Sequence, residues 1–223
     1  ATKLSGGRIQ ITPHFGGSLG YKSADHNAAV RDGAVGMAST PLDKLSVISP
    51  IFNFQNVPFI SPTVDDVRAL YDATLPWYRK GLDGSNQLVL FSVPWTSVGV
   101  WSKKRIDRPE DMKGVKLRTF EVIGARTFQR AGAAPVQMSW ADVVPALTTG
   151  TIEAVLTSDE GGANAKFWDV GAKFFNAFGY SQGVSVITMN KAEFAKLPAD
   201  MQKALIDAAA DAQNHLARQS VFL

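Results

Sequence analysis

Short segments rich in β-branched and apolar residues alternate with helix-type segments along most of this chain of 223 residues. Strands are predicted at residues 8–14, 87–92, 115–118, 134–137, 154–157 and 184–189. Helical periodicity predicts helices over 124–131 and 200–217, and Thr63-Val64-Asp65-Asp66 has the composition of a helix start. This alternation predicts α/β lobes with largely parallel sheets, in which ligands bind beyond the carboxyl ends of the strands.

The composition narrows the class of protein. Hydrophobic residues make up 45% and charged residues 19% of the chain, as in globular domains. No apolar run reaches the roughly 20 residues that a membrane-spanning helix requires. The net charge is +3 and the basic residues are scattered, which argues against nucleic-acid binding. The chain has no cysteine, which excludes thiol catalysis and thiolate metal sites.

A serine hydrolase is the enzyme alternative. Gly16-Gly17-Ser18-Leu19-Gly20 matches the G-x-S-x-G pattern, and it follows a predicted strand and precedes a predicted helix over 23–31. Ser18 would be the nucleophile, with His215 as its base. However, His215 lies in a regular alanine-rich helical segment, and a glycine turn that lets the backbone approach a neighbour explains the same residues more simply.

The chain shows no recognisable metal-binding pattern. His14, His26 and His215 lack the spacing of a zinc site, and the acidic pairs Asp65-Asp66 and Asp159-Glu160 lack the pattern of a calcium loop. We therefore predict neither a metal site nor a cofactor.

Arg118 is a candidate for anion binding. It ends the predicted strand Gly114-Val115-Lys116-Leu117-Arg118, and a strand end is where an α/β lobe binds its ligand. A guanidinium group offers a planar pair of donors to a carboxylate. A surface arginine or an internal salt bridge is the alternative at this point. Aromatic residues at the starts of elements can line a pocket, although each is as well suited to the core: Phe15, Trp95, Trp101 and Trp140.

One stretch of the chain is distinctive. Pro109-Glu110-Asp111-Met112-Lys113-Gly114-Val115-Lys116-Leu117-Arg118 resembles the most characteristic segment of the solute-binding proteins of TRAP transporters (tripartite ATP-independent periplasmic transporters). Similar segments continue at Gly132–Val136, Met138–Leu147 and Gly150–Ala154, and upstream at Gly6–Ile9, Ser18–Gly20 and Val57–Phe59. The resemblance covers nearly the whole chain.

The resemblance implies an α/β fold of the periplasmic-binding-protein type, with two lobes, a hinge and a ligand cleft between the lobes. Lobe I would comprise residues 1–94 and 184–223, and lobe II residues 95–183. It further implies a periplasmic protein of a Gram-negative bacterium, without enzyme activity, whose partners are an organic acid anion and the TRAP membrane subunits. Compared with the family, we expect the first strand and helix, and the long helix after Leu223, to be missing.

The resemblance also assigns roles to residues. Arg118 matches the arginine that pairs with the ligand carboxylate, and Trp140 falls where the family has an aromatic residue beside it. Thr157 stands near the position of a ligand-contacting asparagine in many members, and Ser158 is the expected substitute for the lost amide. The remaining residues of the predicted ligand site are Trp95, Thr40, Phe15 and Gly17.

The expected ligand follows from one difference between this sequence and that of family members that bind sialic acid. Members that bind sialic acid carry a second arginine about twenty residues before the first, where this chain has Val98-Gly99-Val100. This argues against sialic acid. With Trp95 and Trp140 near the cleft, we expect a monocarboxylate with an apolar or aromatic body.

Overall fold

The structure is a computed structural model that describes residues 1–61 and 63–219. The chain forms two compact units. The first comprises Ala1–Phe54, Arg68–Pro94 and the described residues from Val184 onward. The second comprises Gln55–Val67 and Trp95–Gly183.

Helices and strands alternate through both units. The strands are β1 (Met37–Pro41), β2 (Gln87–Pro94), β3 (Val98–Ser102), β4 (Lys116–Thr119), β5 (Ala134–Gln137), β6 (Ala154–Ser158), β7 (Phe174–Ser181) and β8 (Val184–Asn190). The α-helices are α1 (His26–Arg31), α2 (Val64–Gly84), α3 (Val122–Arg130), α4 (Val143–Thr149), α5 (Asp159–Asn164), α6 (Lys191–Ala195) and α7 (Ala199–Gln219). Short 3-10 turns lie at Leu42–Leu45, Pro50–Asn56, Pro109–Met112, Trp140–Asp142 and Phe167–Val170.

The first unit is built on a three-stranded sheet with the order β1-β8-β2. Both neighbours of β8 run antiparallel to it, so the prediction of largely parallel sheets is wrong for this unit. Alternation of strands and helices does not by itself encode strand direction. Phe52 and Tyr78 are fully buried and stack with ring centroids 5.0 Å apart in the core.

The predicted strand over residues 8–14 is also wrong. These residues have no regular secondary structure and pair with no strand among those described, and all except Ile9 are exposed. An alternating pattern predicts a strand only where a neighbouring backbone completes the hydrogen bonds.

The second unit is built on a five-stranded sheet with the order β5-β4-β6-β3-β7. Strand β4 runs parallel to both β5 and β6, as the sequence predicts for this part of the chain. Strand β3, which the sequence did not predict, runs antiparallel to β6 and β7.

Side chains alternate across this sheet and feed two separate cores. Leu156 packs in one cluster with Phe128 of α3. Its neighbour Val155 packs in the other with Val143 and Leu147 of α4. Helices therefore cover both faces of the sheet, and the strand ends are the places where polar side chains gather.

Residues 55–67 group with the second unit, whereas the sequence assigned them to lobe I. The backbone N–H of Phe59 donates to the carbonyl of Tyr180 at 2.9 Å, and the two rings meet edge-on at 6.2 Å. The division into functional lobes at residues 94/95 and 183/184 stays a prediction.

Candidate ligand-binding site

Arg118 lies in β4, the central strand of the parallel part of the sheet, and only 4% of its surface is exposed. Its Nε and Nη2 groups donate to the carbonyl of Met138 at 3.1 and 3.0 Å. Its Nη1 group donates to the carbonyl of Leu156 at 3.2 Å. Met138 follows β5 and Leu156 lies in β6, so the backbones of both flanking segments orient the guanidinium group.

Two aromatic rings lie beside the same guanidinium group. Its Cζ atom is 5.8 Å from the ring centroid of Trp140 and 6.0 Å from that of Phe120. Both distances are within the range in which a cation is attracted to an aromatic face. Phe120 is buried, whereas Trp140 is 40% exposed. Trp140 therefore lies between the buried guanidinium group of Arg118 and the surface of the unit.

Thr157 and Ser158 are the last two residues of β6, and they lie near Trp140. The Ser158 hydroxyl accepts the backbone N–H of Gly161 at 3.0 Å and caps α5, while its carbonyl accepts the indole N–H of Trp101 at 3.1 Å. A methyl group at Gly161 would lie 3.2 Å from Oγ1 of Thr157 and 3.6 Å from Cη2 of Trp140. The structure thus brings Trp140, Thr157 and Ser158 together around Gly161.

Trp95 contacts Phe120, which lies beside Arg118. The rings of Trp95 and Phe120 meet edge-on, with their centroids 5.5 Å apart. The backbone N–H of Trp95 donates to the carbonyl of Gly183 at 2.7 Å. The indole covers Gly183 closely, since a methyl group there would lie 2.7 Å from Cδ2. Trp101, a further pocket candidate from the sequence, is only 8% exposed and packs against Phe167, so it belongs to the core.

The remaining predicted ligand residues lie in the first unit. Phe15 is 80% exposed, and Gly17 follows it in a turn with φ of +77°. Thr40 is buried in β1, opposite Val186 of β8. Their part in a ligand site stays a prediction.

The surroundings of Ser18 do not have the geometry that a serine hydrolase requires. Ser18 lies in a glycine-rich turn that no strand precedes, and the next helix begins only at His26. A nucleophile elbow requires a sharp turn directly between a strand and a helix. His215 is an exposed residue within helix α7.

Two residues of the site region were missed by sequence reasoning. One is Phe120. The sequence signal that could have pointed to it was its position two residues after Arg118. The other is Glu121, which is 4% exposed and accepts the backbone N–H of Gly124 at 2.5 Å and the Tyr180 hydroxyl at 3.2 Å. Burial, followed by the Glu121 charge, raises the pKa of Tyr180. Glu121 thus caps the start of α3, two residues after the end of the strand that carries Arg118.

A cavity of about 740 Å³ lies elsewhere in the second unit. Its lining includes Phe59, Arg108, Phe174 and Phe178, and none of the predicted ligand residues contributes to it. Within the described residues, no group of three or more histidine or acidic side chains is placed to hold a metal ion. No helix in the described part of the chain is both long and apolar enough to cross a membrane.

These features describe a mixed α/β protein with a buried, oriented cation near the carboxyl ends of parallel strands, where α/β proteins commonly bind ligands. Residues 1–221 match the family model DctP, described as bacterial extracellular solute-binding protein, family 7. The chain belongs to this family.

Similar proteins of known structure are TRAP solute receptors. The pyroglutamic-acid-binding extracytoplasmic solute receptor DctP6 of Bordetella pertussis is 28% identical, with a TM-score of 0.91 over 98% of this chain and 72% of its own. A TRAP periplasmic solute-binding protein of Ralstonia eutropha H16 with bound (S)-2-acetolactate is also 28% identical, with a TM-score of 0.91 over 98% of this chain and 71% of its own. The chain therefore has the two-lobe α/β fold of these receptors.

A curated relative is the 2,3-diketo-L-gulonate-binding periplasmic protein of Escherichia coli strain K12. It is 28% identical over 192 residues, which is 84% of this chain and 58% of the relative. The chain thus spans about three fifths of the length of the curated relatives that it matches.

Proposed function

We propose that this chain is the solute-binding part of a TRAP transport system and captures a small organic monocarboxylate without changing it chemically. The observation that carries the proposal is the buried guanidinium group of Arg118, which backbone carbonyls hold in a fixed orientation. Its proposed role is to pair with the ligand carboxylate.

The physical argument begins with the cost of ordering a side chain. A free arginine loses considerable rotamer freedom when it grips a ligand, and this loss weakens binding. Here hydrogen bonds to the backbone carbonyls of Met138 and Leu156 hold the group in one orientation. The low exposure of Arg118 also strengthens its attraction for a carboxylate, because little water remains to screen the charge.

The ligand class draws support from the relatives. Pyroglutamic acid, 2-acetolactate and 2,3-diketo-L-gulonate are the ligands of the three similar proteins named above, and each is a monocarboxylate. In this chain, Trp140 offers an exposed aromatic face next to the arginine, and Thr157 and Ser158 lie close to it. We therefore propose a compact monocarboxylate whose body lies against Trp140.

For transport, the membrane subunits have to distinguish the ligand-bound protein from the free protein. A ligand that makes contacts in only one conformation shifts the population towards that conformation. We propose that the carboxylate favours a closed form in this way, and that the closed form is recognised by the TRAP membrane subunits in the periplasm. The family description as an extracellular solute-binding protein supports this location.

The test compares Arg118→Gln with the wild type by calorimetric titration. The probes are pyroglutamate, 2-acetolactate, phenylpyruvate and succinate, which separate polar, aromatic and dicarboxylate ligands. Removing one partner of a buried ion pair costs about 3–5 kcal/mol, so the dissociation constant should rise by roughly two to four decades.

The matched control is Arg105→Gln. Arg105 belongs to the same unit, but its side chain is 72% exposed and pairs with Asp107, so this variant should bind as the wild type does. Binding by Arg118→Gln within threefold of the wild type would refute the proposed role. Retention of succinate alone would refute the monocarboxylate assignment.

A further inference from the structure

Phe120 lies beside Arg118 in a hydrophobic cluster of the second unit. It follows the end of β4 and is 6% exposed. The chain bends at Phe120, just after β4 ends at Thr119, and the ring packs in the hydrophobic cluster of Leu117 while still reaching the guanidinium group. The ring centroid is 6.0 Å from Cζ of Arg118, and the ring also meets that of Trp95, with the two centroids 5.5 Å apart.

The backbone carbonyls and the ring restrain different motions of the arginine. The carbonyls of Met138 and Leu156 act on the N–H groups of the guanidinium group, that is, at its edges. Phe120 attracts the charge through the electrons of its ring and fills the space beside it. Trp95 in turn packs against Phe120 and limits the movement of that ring.

We propose that Phe120 is a positioning residue that holds the guanidinium group of Arg118 in place, with Trp95 supporting Phe120 from behind. The consequence for ligand affinity rests on the function proposed above. The effect on the arginine itself does not, because it concerns contacts within the protein.

A purely structural role for Phe120 has a matched control within the same core. Phe128 belongs to the same hydrophobic cluster and is also 6% exposed, but its ring contacts are Phe178 at 5.8 Å and Tyr180 at 5.5 Å. Phe120→Leu and Phe128→Leu remove equal volumes from one core. They differ in whether the lost ring lies beside Arg118.

The first measurement is the hydrogen exchange of the Arg118 Nε–H group, followed by NMR without ligand and assigned from the signal lost in Arg118→Lys. Phe120→Leu should accelerate this exchange about tenfold, the factor expected for an interaction of this kind. Phe128→Leu should leave it within twofold, and Phe120→Tyr should restore the wild-type rate. Equal acceleration in the two leucine variants, or none in Phe120→Leu, would overturn the proposal.

The second measurement is the affinity for pyroglutamate. Phe120→Leu should weaken binding about tenfold, and Phe128→Leu should not, even where both lower the melting temperature equally. Tight binding by Phe120→Leu would overturn the positioning role and leave the proposed function intact. If the wild type binds no acid while the exchange rates change as expected, the positioning role is supported and the proposed function fails.

Discussion

Replacement of Gly162 by alanine tests how α5 is packed behind the candidate site. Gly162 lies in the middle of α5 and is buried. A methyl group at this position would lie 2.7 Å from Cδ1 of Trp101, and closer still to Nε1 and Cε2. The indole cannot move freely, because Phe167 and Phe175 surround it at 6.0 and 5.3 Å.

The expected loss of stability can be worked from these contacts. Overpacking a filled core costs roughly 1–3 kcal/mol. Displacement of the indole also removes its hydrogen bond to the carbonyl of Ser158, worth about 1 kcal/mol. The better helix propensity of alanine returns nearly 1 kcal/mol. Gly162→Ala should therefore lower the free energy of unfolding by about 2 kcal/mol, which corresponds to a fall of roughly 4–8 °C in melting temperature.

The assay is thermal unfolding followed by circular dichroism, since the chain has five tryptophans and their fluorescence would not report Trp101 alone. The control is Gly84→Ala, because nothing lies within 4 Å of a methyl group there and Gly84 ends helix α2. This control should be unchanged or stabilised by about 0.5 kcal/mol. If Gly162→Ala melts at or above the wild-type temperature, the packing of Trp101 against α5 is not as tight as described, and the reasoning fails.

Two further predictions concern pH and the start of α3. Burial lowers the pKa of His26 below its ordinary value of 6.5, so the unfolded chain binds the proton more readily and the folded state loses stability as pH falls below about 6.5. Melting at pH 7.5 and 5.5 should show a smaller difference in His26→Gln than in the wild type, and an equal difference would contradict this reasoning. Glu121→Ala should cost about 2 kcal/mol, because the Gly124 N–H loses its cap and the Tyr180 hydroxyl loses an acceptor. Urea unfolding should show a smaller loss for Glu121→Gln, which keeps an acceptor oxygen, and equal losses would contradict it.

In the second unit the sequence predicted strands β4, β5 and β6 and helix α3 but missed β3. The segment from Pro94 to Ser102 contains proline, glycine and two tryptophans, a composition typical of a connection between elements. Its strand structure comes from pairing with β6 on one side and β7 on the other. A glycine at 99 suits this place because a side chain would press on Phe175, a contact that only the folded sheet reveals.

The candidate site was predictable in part. Arg118, Trp140, Thr157 and Ser158 were named from the sequence because a strand end and a family resemblance point to them, and the structure places them in one region of the second unit. Phe120 was missed because its neighbours are set by tertiary packing. Its ring lies next to an arginine two residues away because the chain bends at Phe120, directly after β4 ends at Thr119.

The way in which Arg118 is held bears on how ligand preference arises in this site. Its hydrogen-bond acceptors at Met138 and Leu156 are backbone carbonyls, which a side-chain substitution does not remove. The groups around it are side chains that follow three parallel strands: Phe120 after β4, Trp140 after β5, and Thr157 at the end of β6. In the proposed site, recognition of a carboxylate would therefore be built into the sheet, whereas selectivity for the shape of the ligand body would depend on loop residues that can change without disturbing the sheet.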